Sequence, residues 1–220
     1  MRAMHRPHYR LLPSVPAQEA RWLAAAALAA LALAACGNKV AQLPQLAASD
    51  VIVAFGDSLT FGTGASEQES YPLVLGSLLG RQVVRAGVPG EVTAQGLARL
   101  PQVIEEHRPK LVIVCLGGND MLRRVKEAEI RSNLKAIVKT LKEQGIGVVL
   151  VGVPKPALIT GPAEFYAEIA KEFGIPYEER VVTSVLYAPD MKSDPIHPNA
   201  KGYRRMAEAL AELLRKAGAI

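Results

Sequence analysis

Five short apolar segments, at residues 51–55, 83–84, 111–116, 148–151 and, more weakly, 175–177, recur along the 220-residue chain. Between them, apolar residues fall three and four positions apart. Runs of four to six residues rich in Val and Ile, without polar alternation, read as strands buried on both faces. The 3.6-residue period predicts amphipathic helices over 71–79, 94–106, 130–143, 163–173 and 200–216. Gly145 and Gly174 follow two of these segments, where a left-handed cap would end a helix.

Strands that alternate with helices of this length pair in parallel, because each crossover needs a helix lying against the sheet. The expected fold is therefore α/β, a three-layer α/β/α sandwich around a parallel sheet of about five strands. By analogy with flavodoxin-like folds the strand order is 2-1-3-4-5. Half the residues are apolar, enough for one full-sized core at this length and too few for two. Three regions are expected: a signal at 1–35, a tether at 36–49 and one domain at 50–220.

The signal rests on a 14-residue apolar stretch, 22–35, preceded by arginines and followed by Cys36. That length suits the core of a signal peptide and is short for a membrane span. Leu33-Ala34-Ala35-Cys36 resembles a bacterial lipobox, which implies a lipid-modified Cys36 as the mature N-terminus. Gly37 after the cysteine resembles lipoproteins sent on to the outer membrane. The expected location is thus the bacterial cell envelope, lipid-anchored and facing the periplasm. Residues 40–49 are rich in Ala, Gln, Leu and Pro without a period, which suits a short tether.

The formal charge of +5 is inflated by this leader. Setting aside Arg2, Arg6, Arg10, Arg21 and Glu19 leaves 22 cations against 20 acids, or +2, from Cys36 onward. The pI near 9.3 is therefore a poor argument for nucleic-acid binding, and no basic stripe interleaved with aromatics appears. Cys36 and Cys115 are the only cysteines, and Cys115 falls inside the apolar run 111–116. It reads as a small core residue, so neither a disulfide nor a reactive thiol is expected.

Chemistry concentrates where strands end. Gly56-Asp57-Ser58-Leu59-Thr60 follows the first strand, Gly87-Val88-Pro89-Gly90 the second and Gly117-Gly118-Asn119-Asp120 the third. In an open parallel sheet these loops share the C-terminal edge, where ligands bind. Ser58 is a candidate nucleophile, but a serine hydroxyl needs a neighbouring base to take its proton. His197 in Asp194-Pro195-Ile196-His197-Pro198 can supply it, and Asp194 can turn back to accept the other ring N–H. Gly90 can offer an unobstructed N–H, and Asn119 an amide, to negative charge developing on an attacked carbonyl. Taken singly, each of these is more often a cap or a turn residue. Asp57 reads as turn-stabilising, and His107, at a helix end, as a surface or capping residue.

As a set, Gly56-Asp57-Ser58, Gly90, Gly118-Asn119-Asp120 and Asp194-x-x-His197 resemble the four signature blocks of the SGNH (GDSL) hydrolases, from about Val51 to the C-terminus. Gly96-Leu97-Ala98-Arg99-Leu100 and Leu116-Gly117-Gly118-Asn119-Asp120 point to the thioesterase I, lysophospholipase and arylesterase branch. The resemblance implies Ser58 as nucleophile, Asp194 and His197 completing a triad, an oxyanion hole of Ser58, Gly90 and Asn119, and neither metal nor organic cofactor. It implies hydrolysis of carboxylic esters or thioesters through an acyl-enzyme. The substrate would be a small ester or a lysophospholipid, and a monomer is expected. Tyr177-Glu178-Glu179-Arg180 is polar where relatives tend to be apolar, so their long-acyl preference is not carried over. Two other readings exist: an O-acetyl esterase on envelope polysaccharide, and a non-catalytic flavodoxin-like module holding FMN or phosphate at 56–60.

Overall fold

A computed structural model describes residues 40–155 and 161–220 of the chain. The expected signal and Cys36 lie outside the described residues. Five strands, β1 (Ile52–Gly56), β2 (Val83–Gly87), β3 (Leu111–Cys115), β4 (Gly147–Val151) and β5 (Tyr177–Glu178), form one parallel sheet in the order β2-β1-β3-β4-β5. The expected order is the observed one. β1 and β3 are buried along their whole length, as their unbroken apolar runs require. Burying each Val, Ile, Leu or Phe of these strands stabilises the fold by about 1.5–3 kcal/mol.

Right-handed crossovers distribute the helices. The step from β1 to β2 runs opposite to all later steps, which sends α2 (Tyr71–Leu79) to one face. The other face receives α3 (Thr93–His107), α5 (Glu127–Glu143) and α6 (Glu164–Phe173), packed side by side. The final helix, α8 (Ala200–Lys216), returns to pack on α2, burying Tyr203, Met206, Ala207, Leu210 and Leu214 at helical spacing. Three helices were not anticipated: α1 (Ser58–Phe61), α4 (Gly118–Leu122) and α7 (Val181–Tyr187). The first two are one turn long, too short to show a period. β5 is shorter than expected because Pro176 has no N–H to give; its carbonyl accepts from Leu150 N–H at 3.0 Å before the strand begins.

The expected 36–49 tether is corrected over its second half. Leu43 N–H and Leu46 N–H donate to the carbonyls of Ala217 and Ala219, both at 2.8 Å, and Leu46 is buried. Arg81 donates to the carbonyls of Leu46 and Ala47. The leucines that read as tether composition are thus anchors, and the compact unit begins at Val40. Among the described residues no helix is long and apolar enough to cross a membrane.

Candidate active site

Strand register sets the site. Gly56, the last residue of β1, lies opposite Gly87 of β2 and Cys115 of β3, so the three loops that follow leave the sheet at one level. A Cβ on Gly56 would sit 2.1 Å from the Cys115 carbonyl oxygen and 2.4 Å from Thr60 Oγ1; only glycine lets the chain turn there. Asp57 then caps α1, its Oδ1 accepting Leu59 N–H at 3.0 Å, which agrees with its turn-stabilising assignment. Ser58 is the first residue of α1, with its side chain free to face the cleft.

The C-terminal loop brings the partners across 139 residues of sequence. His197 Nε2 lies 3.0 Å from Ser58 Oγ, and His197 Nδ1 lies 2.7 Å from Asp194 Oδ2. Asp194 Oδ1 accepts the backbone N–H of Ile196 at 2.8 Å and of His197 at 2.9 Å. Partial burial pushes the Asp194 carboxyl up, but the His197 hydrogen bond and these two N–H groups outweigh it and hold it below the usual carboxylate range. Asn199 caps α8 by accepting Gly202 N–H at 3.1 Å and donates to the carbonyls of Asp190 and Lys192. Tyr203 O–H donates to Thr63 C=O at 2.7 Å, tying α8 to the loop after Ser58. His197 is therefore held from both sides of its loop.

Asn119, in the first turn of α4, lines the same cleft. Its Nδ2 donates to Glu91 C=O at 3.1 Å and to Asp57 Oδ2 at 3.3 Å. Gly90, with φ of +79°, lies on the loop after β2 at the same sheet edge. It is not part of the apolar cleft wall, and its neighbour Glu91 links it to the site by accepting the Asn119 amide. The N–H groups of Ser58 and Gly90 have no protein acceptor among the described residues. The cleft walls are mostly apolar, formed by Leu59, Leu122, Val153, Pro154, Leu186 and Ile196 around Ser58 and His197, with Lys155 also lining the cleft.

Three buried carboxylates stand behind the site. Asp57 has its pKa pushed up to about 7, first by burial and then by Glu91 and Asp120, with the Leu59 N–H opposing. Glu91 is satisfied by Arg99. Asp120 accepts Thr93 N–H at 2.9 Å and Thr93 O–H at 2.6 Å, which caps α3 from the first turn of α4. Cys115 is fully buried and burial pushes its thiol well up, in keeping with a core role. Among the described residues no group of three or more His, Cys, Asp or Glu is placed to hold a metal ion.

Residues 54–205 match the GDSL-like lipase/acylhydrolase family. The chain belongs to that family. Within it, this hydrolase is 32% identical over 177 residues to the thioesterase 1/protease 1/lysophospholipase L1 of Escherichia coli strain K12, covering 77% of this chain and 85% of the relative. It is 30% identical over 180 residues to an arylesterase of Vibrio mimicus, covering 77% and 90%. Among solved structures it is similar to TesA, with a TM-score of 0.68 and 25% identity over 76% of this chain and 98% of the other. The SGNH-hydrolase esterase AlinE4 gives a TM-score of 0.61 and 34% identity over 79% and 98%. The protein is a serine ester hydrolase.

Sequence reasoning missed the residues of this hydrolase that support the site from behind. Arg99 lies within the quoted Gly96–Leu100 motif, but neither its pairing with Glu91 nor the Asp57 contact to Asn119 could be read locally, because the partners come from other segments. The one available signal was chemical: Glu91 directly follows a tight Pro-Gly turn and needs a cation nearby if buried. The polar stretch Tyr177-Glu178-Glu179-Arg180 does not line the cleft. Glu178 accepts the N–H groups of Arg180 and Val181 at the start of α7, so its polarity says nothing about acyl preference.

Proposed function

We propose that this hydrolase cleaves carboxylic esters or thioesters through an acyl-enzyme on Ser58. The observation that carries the assignment is the continuous relay from Ser58 Oγ to His197 Nε2 at 3.0 Å and from His197 Nδ1 to Asp194 at 2.7 Å. His197 Nε2 accepts the hydroxyl proton as Ser58 Oγ bonds to the carbonyl carbon. Asp194 holds the proton on Nδ1, so Nε2 keeps its lone pair toward serine, and it stabilises the imidazolium that forms. The carbonyl oxygen, now negative, is received by the N–H of Ser58, the N–H of Gly90 and the Asn119 amide. Of the two Asn119 contacts, that to Asp57 is the longer, and its hydrogen is the one the oxyanion draws away. Imidazolium then protonates the departing alkoxide or thiolate. Water, deprotonated by His197, releases the acid and restores Ser58.

The apolar cleft walls suit an acyl chain, and the names of the relatives support lysophospholipids, aryl esters and acyl thioesters as the classes to test. The lipobox at Cys36 supports a membrane-anchored, periplasm-facing enzyme, which the mass of the mature N-terminus would test. A nucleotide- or phosphate-binding role for 56–60 has no support, since Ser58 Oγ is engaged by His197 and Asp57 places a carboxylate in that turn. The function is tested with an ester and thioester panel spanning acyl lengths, run beside Ser58→Ala. Turnover of at least one class should collapse in the variant; equal turnover by both proteins would overturn the assignment. Cleavage confined to acetyl esters would favour the O-acetyl esterase reading.

A further inference from the structure

The Gly90 loop is a tight four-residue turn. Glu91 N–H closes it on Val88 C=O at 3.1 Å, with Pro89 and Gly90 in the central positions. Proline at the first and a glycine with φ of +79° at the second define a type II turn. Types I and II differ by a reversal of the peptide between the two central residues, and that peptide carries the Gly90 N–H. The positive φ of Gly90 selects type II and so sets the direction of this donor; the hold on Glu91, at the end of the turn, sets where the donor sits relative to Ser58.

Arg99 supplies that hold. From the second turn of α3 its guanidinium grips Glu91 with both forks, Nε to Oε1 at 2.5 Å and Nη2 to Oε2 at 2.7 Å. The same Nη2 reaches Ala86 C=O at 2.9 Å and Gly56 C=O at 3.2 Å, and the group lies 4.1 Å from the centre of the Phe55 ring. Gly56 also accepts Val88 N–H at 3.0 Å. The main chain of Glu91 does a further job, its carbonyl accepting one hydrogen of the Asn119 amide. This ion pair, buried at Glu91, thus joins Gly56, just before Asp57-Ser58, to Glu91, which both follows Gly90 and holds the Asn119 amide.

We propose that Arg99 and Glu91 are positioning residues that hold the Gly90 and Asn119 donors in register with Ser58; this rests on the reading of those two groups as oxyanion donors. Lysine cannot reproduce the clasp, since a single ammonium cannot grip both carboxylate oxygens in a planar fork and also reach two strand-end carbonyls. A pair that served stability alone would leave turnover unchanged once the protein had folded.

The test compares Arg99→Met, Arg99→Lys and Glu91→Gln in the full chain, using an ester that the wild type turns over. An alkylboronic acid serves as a probe, because its adduct with Ser58 places a negative oxygen where the oxyanion forms. Displacing a donor without deleting it should lower kcat about 10- to 100-fold, below the cost of losing one outright, while KM stays within about threefold. Boronate affinity should weaken by a similar factor, and Arg99→Lys should recover part of both. In an Asn119→Ala background the Arg99→Met loss should be smaller, since one of the donors it positions is already gone. If Arg99→Met does not fold, Glu91→Gln carries the test, keeping the main-chain carbonyl and removing the charge. Folded variants with wild-type kcat and boronate affinity would overturn the proposal, as would a rise in KM with boronate affinity intact. Loss of activity in Asn119→Ala with no loss in these variants would remove the clasp and keep the donors. Full activity in Asn119→Ala would remove the donor reading itself.

Discussion

Asp194→Asn isolates the orienting role, because the two carboxylate oxygens have different work. Oδ1 accepts two backbone N–H groups, and Oδ2 faces His197 Nδ1 at 2.7 Å. An asparagine must put its carbonyl on one side and its amide on the other. With the carbonyl kept on the backbone pair, the amide donates to Nδ1 and drives the ring proton to Nε2, which then donates to Ser58 and cannot take its proton. The flipped amide restores the working tautomer but turns two hydrogens toward two backbone donors. Losing two hydrogen bonds and leaving their donors partly unsatisfied costs about 3–4 kcal/mol, tempered by the 44% exposure of the Asp194 side chain. At 1.36 kcal/mol per tenfold, the working tautomer falls to about one molecule in 10² to 10³. The expected result is a kcat on an aryl ester lowered about 10²- to 10³-fold, with the melting temperature moved by only a few degrees. A folded Asp194→Asn enzyme within threefold of wild-type kcat would refute this assignment of Asp194.

Other outcomes follow from the buried groups behind the site. Asn119→Ala should lower kcat about 10²- to 10³-fold with little change in KM, by steady-state kinetics on the same ester. The Asp57 pKa is raised in the folded state from 3.8 to about 7, so the native protein binds the extra proton between those values. Stability to urea should therefore be greatest below about pH 4 as far as Asp57 is concerned, fall as pH rises toward 7 and level off above, by at most about 4 kcal/mol. Asp57→Asn should flatten that slope and unfold at higher urea than wild type at pH 8; an unchanged slope would show that Asp57 does not titrate as its burial requires.

The architecture could be read from the sequence because its signals are long or repeated. Residues 71–79 and 200–216 show their apolar stripes over several turns, and the strand order follows once the strands are taken as parallel. α1 and α4 left no trace, since four or five residues cannot display a period and their caps depend on where strands end. Ser58, Asn119, Asp194 and His197 were legible as types of residue at strand ends and beside prolines. Their supports were not. The Arg99–Glu91 clasp joins a helix to a turn eight residues back, and Asp120 caps α3 from α4, 27 residues away; neither pairing follows from the periodicity of a single element. Leu43 and Leu46 misled in the opposite sense, since a short apolar pair among Gln, Pro and Ala looks like linker until the Ala217 and Ala219 carbonyls, just past α8, are seen to bind its N–H groups.

The central claim is that Ser58 becomes acylated. Mixing the enzyme with an excess of an activated aryl ester, quenching within the first turnovers in acid and mapping the peptides by mass spectrometry tests it directly. The account predicts an added mass equal to one acyl group on the peptide at Ser58, formed in a burst with the aryl leaving group and absent from Ser58→Ala. Steady hydrolysis with that peptide unmodified throughout, or an acyl group carried on a different residue, would contradict it.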